Sequence, residues 1–106
     1  MLFEWDEEKA RRNFIKYGIR FETAIHVFED DNRLSIRDGG HSIYENRYQV
    51  IGMVKKVLFV VYTARGERVR MITARKATQI ERRQYFDRLL YFEARHSSDG
   101  GTDRGT

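Results

Sequence analysis

Apolar residues recur at helical spacing near both ends of the chain, and in runs or alternation through its middle. Ala10, Phe14 and Tyr17 fall at i, i+4 and i+7 and make one stripe. Asp6 suits an N-cap, Glu7 and Glu8 suit the positive end of a helix dipole, and Gly18 can take the left-handed conformation that ends a helix. These features predict a helix from Glu7 to Tyr17. Phe21, Ala24, Ile25 and Phe28 predict a second, shorter helix over about Glu22 to Glu29, with no side chain at Arg20 to cap it. Leu34 to Arg37 reads as a short edge strand and Arg47 to Met53 as a longer strand. Val57 to Ala64 is apolar enough for a central strand covered on both faces. Arg68 to Ala74 alternates, placing Val69, Met71 and Thr73 on one face and Arg68, Arg70, Ile72 and Ala74 on the other. Turns are expected at Asp38 to Ser42, at Val54-Lys55-Lys56 and at Arg65-Gly66-Glu67. Two short connections in succession predict an antiparallel meander. Thr78-Gln-Ile-Glu81 is a capping box and starts a third helix, in which Tyr85, Leu89 and Phe92 form one apolar row and Phe86 with Leu90 a second.

The fold class is therefore α+β, with helices before and after a small antiparallel sheet. At 106 residues the chain holds one domain, expected over 1–96. The glycine-rich end, 97–106, has nothing to bury and is expected to be disordered. The chain has no cysteine, which excludes a disulfide scaffold and thiolate sites. Its three histidines, at 26, 41 and 96, have no ligand partner at diagnostic spacing, so neither a metal site nor another cofactor is expected. The N-terminus is acidic where a secretion signal would be basic, and the longest apolar run, Val57 to Tyr62, is far short of a membrane span. A cytoplasmic protein with no membrane contact is expected.

The net charge of +4 is unevenly distributed. Residues 55–84 carry nine basic and two acidic side chains, a net of +7, while the flanking segments are slightly acidic. A polyanion is a natural partner for such a segment, and a surface charged for solubility is the plain alternative. Arg65, Arg68, Arg70, Arg75 and Lys76 are the first constellation. Arginine grips phosphate through a rigid two-pronged donor set, and Arg68 and Arg70 share a strand face that could line a groove. Lys55 and Lys56 extend the basic stretch. His41, Glu45 and Arg47 are the second constellation. Cleavage of RNA through its own 2′-hydroxyl needs a base, a cation and an acid. Glu45 or His41 can serve as base, with arginines as cations. Otherwise His41 is a polar turn residue, and Glu45 with Arg47 an exposed ion pair worth under about 1 kcal/mol. Among Trp5, Tyr44, Tyr48, Tyr62 and Tyr85, most suit a core, and Tyr44 in the polar loop is the best candidate for base stacking.

The ordered blocks of the chain resemble the BrnT family of type II toxin–antitoxin ribonucleases. They are FEWD at 3–6 with Lys9-Ala10 and Asn13; KYGI at 16–19 with Phe21, Ala24 and Val27-Phe28; Asp38 with His41-Ser42; and Glu45 and Arg47 followed by Ile51-Gly52. TARGERVRMITARKAT follows at 63–78, then Glu81-Arg-Arg with Tyr85. The resemblance implies a RelE-like fold of two N-terminal helices, a small antiparallel sheet and a C-terminal helix. It implies a toxin that cleaves mRNA and arrests translation. It also implies a BrnA-like ribbon-helix-helix antitoxin as partner, through which alone the complex reaches promoter DNA. Its active region maps onto Glu45, Arg47, Arg65, Arg75 and Lys76, with His41 and Tyr85 beside them. Chemistry ranks Glu45 first as base and His41 second. The chain departs from the family's usual pattern in two places. Tyr17 stands where a histidine precedes the first glycine, and the turn at 54–56 lacks the common glycine. Tyr17 falls on the apolar stripe of helix one, which fits packing better than catalysis. The alternative to an enzyme is a non-catalytic module of an antitoxin–toxin repressor complex, binding nucleic acid or an acidic protein.

Overall fold

The computed structural model describes residues 1–38 and 46–105, apart from the side chains of residue 92 and of residues 95–105. The chain forms β1 (Leu2–Glu4), α1 (Glu7–Tyr17), α2 (Phe21–Ala24), a 3-10 turn (Ile25–Glu29), β2 (Leu34–Arg37), β3 (Arg47–Val54), β4 (Lys56–Arg65), β5 (Arg68–Lys76) and α3 (Gln79–Gly105). The five strands make one sheet in the order β1-β5-β4-β3-β2. The α3 range includes 97–105, where the sequence predicts disorder.

The caps of α1 are those its sequence predicts. Asp6 Oδ1 accepts from the amides of Glu8 and Lys9 at 2.8 and 3.1 Å, and Gly18, at φ 72°, donates its amide to the Phe14 carbonyl. The second helix divides. Four α-helical residues continue as a 3-10 turn that lies against β3. Gly52 permits that approach, since a Cβ there would stand 3.0 Å from the Val27 Cβ and 3.2 Å from its carbonyl oxygen.

The sheet differs from the predicted meander in two respects. It is mixed, because β1 pairs with β5 in parallel. A strand of three residues is too short to show alternation, and only Phe3 packs on the core. Irregular pairing between Val61 and Tyr62 of β4 and the facing strand also shifts the register, so Tyr62 faces Met71 and Val61 faces Thr73. The bulge inverts the alternation of β5. Ala74, expected opposite Val69 and Met71, joins them in the core, and Thr73 turns to the other face with Val61.

Two cores result. On one face Val50, Leu58, Val60, Met71 and Ala74 of the sheet pack with Phe21 of α2 and Val27 of the 3-10 turn, beneath α1 and these two elements. Asn13, 7% exposed, pins α1 there. Its Nδ2 donates to the Ile19 and Ala74 carbonyls, and its Oδ1 accepts from the Ala74 amide at 3.0 Å. On the other face Ile51, Val57, Phe59 and Val61 pack against Tyr85 and Phe86 of α3. The capping box forms as read: Thr78 donates its amide to Glu81 Oε1 at 2.8 Å, and Thr78 Oγ1 accepts from the Glu81 amide at 3.2 Å. No helix among the described residues is long and apolar enough to cross a membrane.

Candidate nucleic-acid interface

Strand register decides which basic side chains share a face. Residues opposite each other in a ladder project to the same side. Phe59 and Val61 belong to the α3-side core, so their alternates on β4, Thr63 and Arg65, lie on that side as well. Arg47 and Arg70 face Thr63 from either flank, Arg68 faces Arg65, and Arg75 faces Phe59. Arg47, Arg65, Arg68, Arg70 and Arg75 therefore share the α3 side of the sheet. The bulge is what permits this. With unbroken alternation Arg75 would leave on the opposite face from Arg68 and Arg70.

Three of the basic residues singled out in the sequence stand elsewhere. Lys76 pairs with Leu58, a residue of the other core, and so projects to the helix-covered side. Lys55, at φ 62°, forms the tight turn between β3 and β4, and Lys56 begins β4. Arg65 ends the same strand, roughly 30 Å away at about 3.3 Å per residue. The basic run at 55–84 is thus continuous in sequence and split in space. His41, Tyr44 and Glu45 lie outside the described residues.

The arginines of the shared face differ in their partners. Glu4, on β1, accepts from Arg70 at 2.9 Å and from Arg68 at 3.4 Å. Those bonds, Arg70's first, hold the Glu4 carboxyl below its ordinary range against the opposing effect of burial. Arg75 makes a two-pronged pair with Glu81 at 2.8 and 2.9 Å and lies over the Phe59 ring at 4.1 Å. The Glu81 hydrogen bond raises the Arg75 pKa further. Burial would push the Glu81 carboxyl up, but Arg75 and the Thr78 amide outweigh it and lower it. Arg47 stands 3.7 Å from Asp38, beyond hydrogen-bond distance. Arg65 is exposed, with neither ion pair nor hydrogen bond among the described residues. Its five donors can meet an incoming phosphate without displacing a carboxylate.

Tyr85 is 3% exposed, and its hydroxyl donates to Asp30 Oδ2 at 2.6 Å. The same oxygen accepts from the Met53 amide at 2.8 Å, while Oδ1 accepts from Asn32. Burial, then the Asp30 bond, raises the phenol pKa strongly. Burial would raise Asp30 too, but the bonds from Tyr85 and the two amides outweigh it and lower it. Tyr85 is thus placed to clasp α3 to the sheet. Tyr48 and Tyr62 stack on the helix-covered face, ring centroids 5.4 Å apart, and Trp5 meets Phe21 edge-on. Tyr17 lies 5.2 Å from the Lys16 ammonium at the end of α1. Glu4, Asp30 and Asn13 organise these contacts without having been singled out for it. Each has a partner 55 to 66 residues away, Arg70, Tyr85 and Ala74 respectively, which no local signal marks.

Comparison with known proteins bears on the same residues. No curated protein sequence matches the chain. Among solved structures it is similar to the crystal structure of the Brucella abortus ribonuclease toxin, BrnT. That match has a TM-score of 0.61 at 23% identity and covers 74% of this chain and 100% of the other, which establishes a shared fold. Residues 5–81 match the family model described as the ribonuclease toxin, BrnT, of type II toxin–antitoxin systems. That stretch runs from Trp5 to Glu81 and takes in every arginine of the shared face, and the chain belongs to the BrnT family of ribonuclease toxins.

Proposed function

We propose that this chain is a metal-independent endoribonuclease that cleaves mRNA in the cytoplasm, arrests translation and is neutralised by a cognate antitoxin. The carrying observation is the convergence of Arg47, Arg65, Arg68, Arg70 and Arg75 on one sheet face, with Arg65 unpaired among the described residues. A phosphodiester lying across that face meets donors suited to its oxygens and to the charge that grows on them at the transition state. Glu45, two residues before Arg47, takes the 2′-hydroxyl proton, with His41 second for that role. The 2′-oxygen attacks phosphorus, the bond to the 5′-oxygen breaks, and the proton taken by the base is returned, through water, to the leaving 5′-oxygen. The products are a 2′,3′-cyclic phosphate and a 5′-hydroxyl. Arg65 and Arg47 act as cations, and Arg68 and Arg70 form the groove wall. Arg75, clasped by Glu81, fixes the edge of the site more than it grips substrate, and Tyr85 acts through α3. Lys55, Lys56 and Lys76 contribute long-range attraction from other surfaces. The RelE-like character of the fold belongs to this reading, as does a BrnA-like ribbon-helix-helix antitoxin that carries the complex to promoter DNA.

The test is cleavage of an unstructured and a structured RNA by the purified protein, with and without EDTA. Cleavage in both conditions is expected, with products ending in a cyclic phosphate. Glu45→Gln and Arg65→Ala are each expected to lower the rate by roughly a hundredfold or more. No cleavage at any concentration, together with no growth arrest on expression, would sink the proposal.

A second reading is a non-catalytic module of the repressor complex. It is favoured by the carboxylates that already answer four of the five arginines. Tight binding of an acidic partner without cleavage would select it.

A further inference from the structure

Beside the arginine row, on the same side of the sheet, the first turns of α3 leave an open groove over β2, β3 and β4. Ile36, Phe59 and Ile80 line it, together with Gln49, Gln84 and Glu81, the last already paired with Arg75. Its volume is about 380 Å³. Ile36 is 50% exposed and Ile80 72%, so two large apolar side chains face water across the opening. Such side chains suit a flat apolar ring, and a carboxamide can donate and accept at once, matching the paired donors and acceptors on a base edge.

The groove is continuous with a second feature. Gln49 faces Val61 across the β3–β4 ladder, and the next pair on that face is Arg47 with Thr63. Thr63 is only 3% exposed, yet neither its Oγ1 nor the Arg47 Nε has a hydrogen-bond partner among the described residues. Buried polar atoms are rarely left unpaired, because the lost hydration is not returned. Here two belong to one cross-strand pair of the arginine row, the Thr63 hydroxyl and a guanidinium nitrogen that has Asp38 Oδ2 at 3.7 Å, beyond hydrogen-bond distance, and both can donate to an anionic oxygen. From Arg47 to Gln49 the strand advances about 7 Å. That span is comparable with the reach from a nucleotide's phosphate to its base.

We infer that the groove and the Arg47–Thr63 pair form one nucleotide subsite, taking an unstacked base of an RNA strand between Ile36 and Ile80 and its phosphate at Arg47 and Thr63. The inference rests on the ribonuclease reading for its choice of RNA and adds a place where sequence is read. Gln49 and Gln84 are the specificity determinants, because their amides meet the base edge. The arginines beside the groove favour a polyanion over an apolar protein segment as occupant. Single-stranded RNA is read in this way elsewhere, with a base splayed out of its stack and held by its edge.

The test uses the full chain and short 2′-O-methyl oligonucleotides, which lack the nucleophile and cannot be cleaved by the proposed route. Fluorescence anisotropy compares a strand carrying all its bases with one made abasic at a single internal position, stepped along the strand. The intact strand is expected to bind at least about fivefold tighter at one position, the lower end of what a held base contributes. In Gln49→Ala and Gln84→Ala that ratio falls toward one. In Ile80→Arg, which fills the opening with charge, the ratio also falls. Thr63→Val is expected to weaken both strands equally, since the lost contact is to phosphate. A ratio of one in the unsubstituted protein at every position, or a ratio unmoved by both glutamine substitutions, overturns the subsite. Loss of antitoxin binding in Ile80→Arg, with RNA ratios intact, would assign the groove to a protein and also overturn it. Because these strands resist cleavage, the ratios are read whether or not ordinary RNA is cut, so failure of the subsite and failure of the ribonuclease reading remain distinguishable.

Discussion

The helix-covered face of the sheet and the face beneath α3 are made from alternate residues of the same strands, yet they are finished differently. On the first, α1, α2 with its Phe21, and the 3-10 turn cover Val50, Leu58, Val60 and Met71, these five side chains all at most 1% exposed, and Asn13 satisfies the backbone where α1 meets β5. On the second, Tyr85 and Phe86 cover Phe59 and Val61, and the remainder carries arginines, two isoleucines open to water and two buried polar atoms with no hydrogen bond among the described residues. One side therefore stabilises the domain, and the other is left incomplete at the end where the basic groups gather. If the arginine face is the proposed site, the contrast makes stability and activity separable by face.

The largest expected effect lies on the covered side. Phe21→Ala removes a fully buried ring that also meets Trp5 edge-on, and should lower unfolding free energy by about 3–5 kcal/mol in a urea titration. A loss under about 1 kcal/mol would break the comparison. Next comes the clasp on the α3 side. Tyr85→Phe takes a charge-assisted bond from Asp30 and should cost roughly 1.5–3 kcal/mol. Its sign with pH is fixed. Asp30 and Glu81 both titrate below their ordinary values of 3.8 and 4.5, so their contribution is complete above that range and is lost as pH falls through the lower folded values. Asp30→Asn should flatten the acid limb of stability against pH, and an unchanged limb would remove Asp30 from the account. Thr78→Ala deletes half of the capping box and should cost about 1 kcal/mol. Smallest of all is Arg65→Ala, which should leave the melting midpoint unmoved while RNA cleavage collapses. A large shift in that midpoint would show that Arg65 serves the fold.

Much of this architecture is legible in sequence, where the cause is local. Asp6 and Gly18 bound α1 as read, Thr78 and Glu81 start α3, and the apolar run at 57–64 is the central strand. What escapes has a distant cause. The bulge facing Val61 and Tyr62 depends on how β5 meets β4, and periodicity within β5 cannot reveal it. It is also what brings Arg75 to the face of Arg68 and Arg70. Lys55, Lys56 and Lys76 mislead for the opposite reason, since closeness in sequence along an antiparallel ladder need not mean closeness in space. Of the site itself, the arginine cluster was legible as charge. Its division into clasped residues and a free one was not, because Glu4 and Asp38 come from other elements.

The parallel pairing of β1 with β5 has a kinetic consequence. The hairpins among β3, β4 and β5 close through short turns, whereas Leu2 meets Arg68 only after the whole intervening chain is closed into a loop. Three residues of ladder return little for that ordering. The N-terminal strand should therefore be the last part of the sheet to dock and the first to leave. In native-state hydrogen exchange, ladder amides of β1 should exchange through small openings, well before those of Val60 in β4. A newly made chain would then hold its arginine face before Glu4 arrives to restrain Arg68 and Arg70.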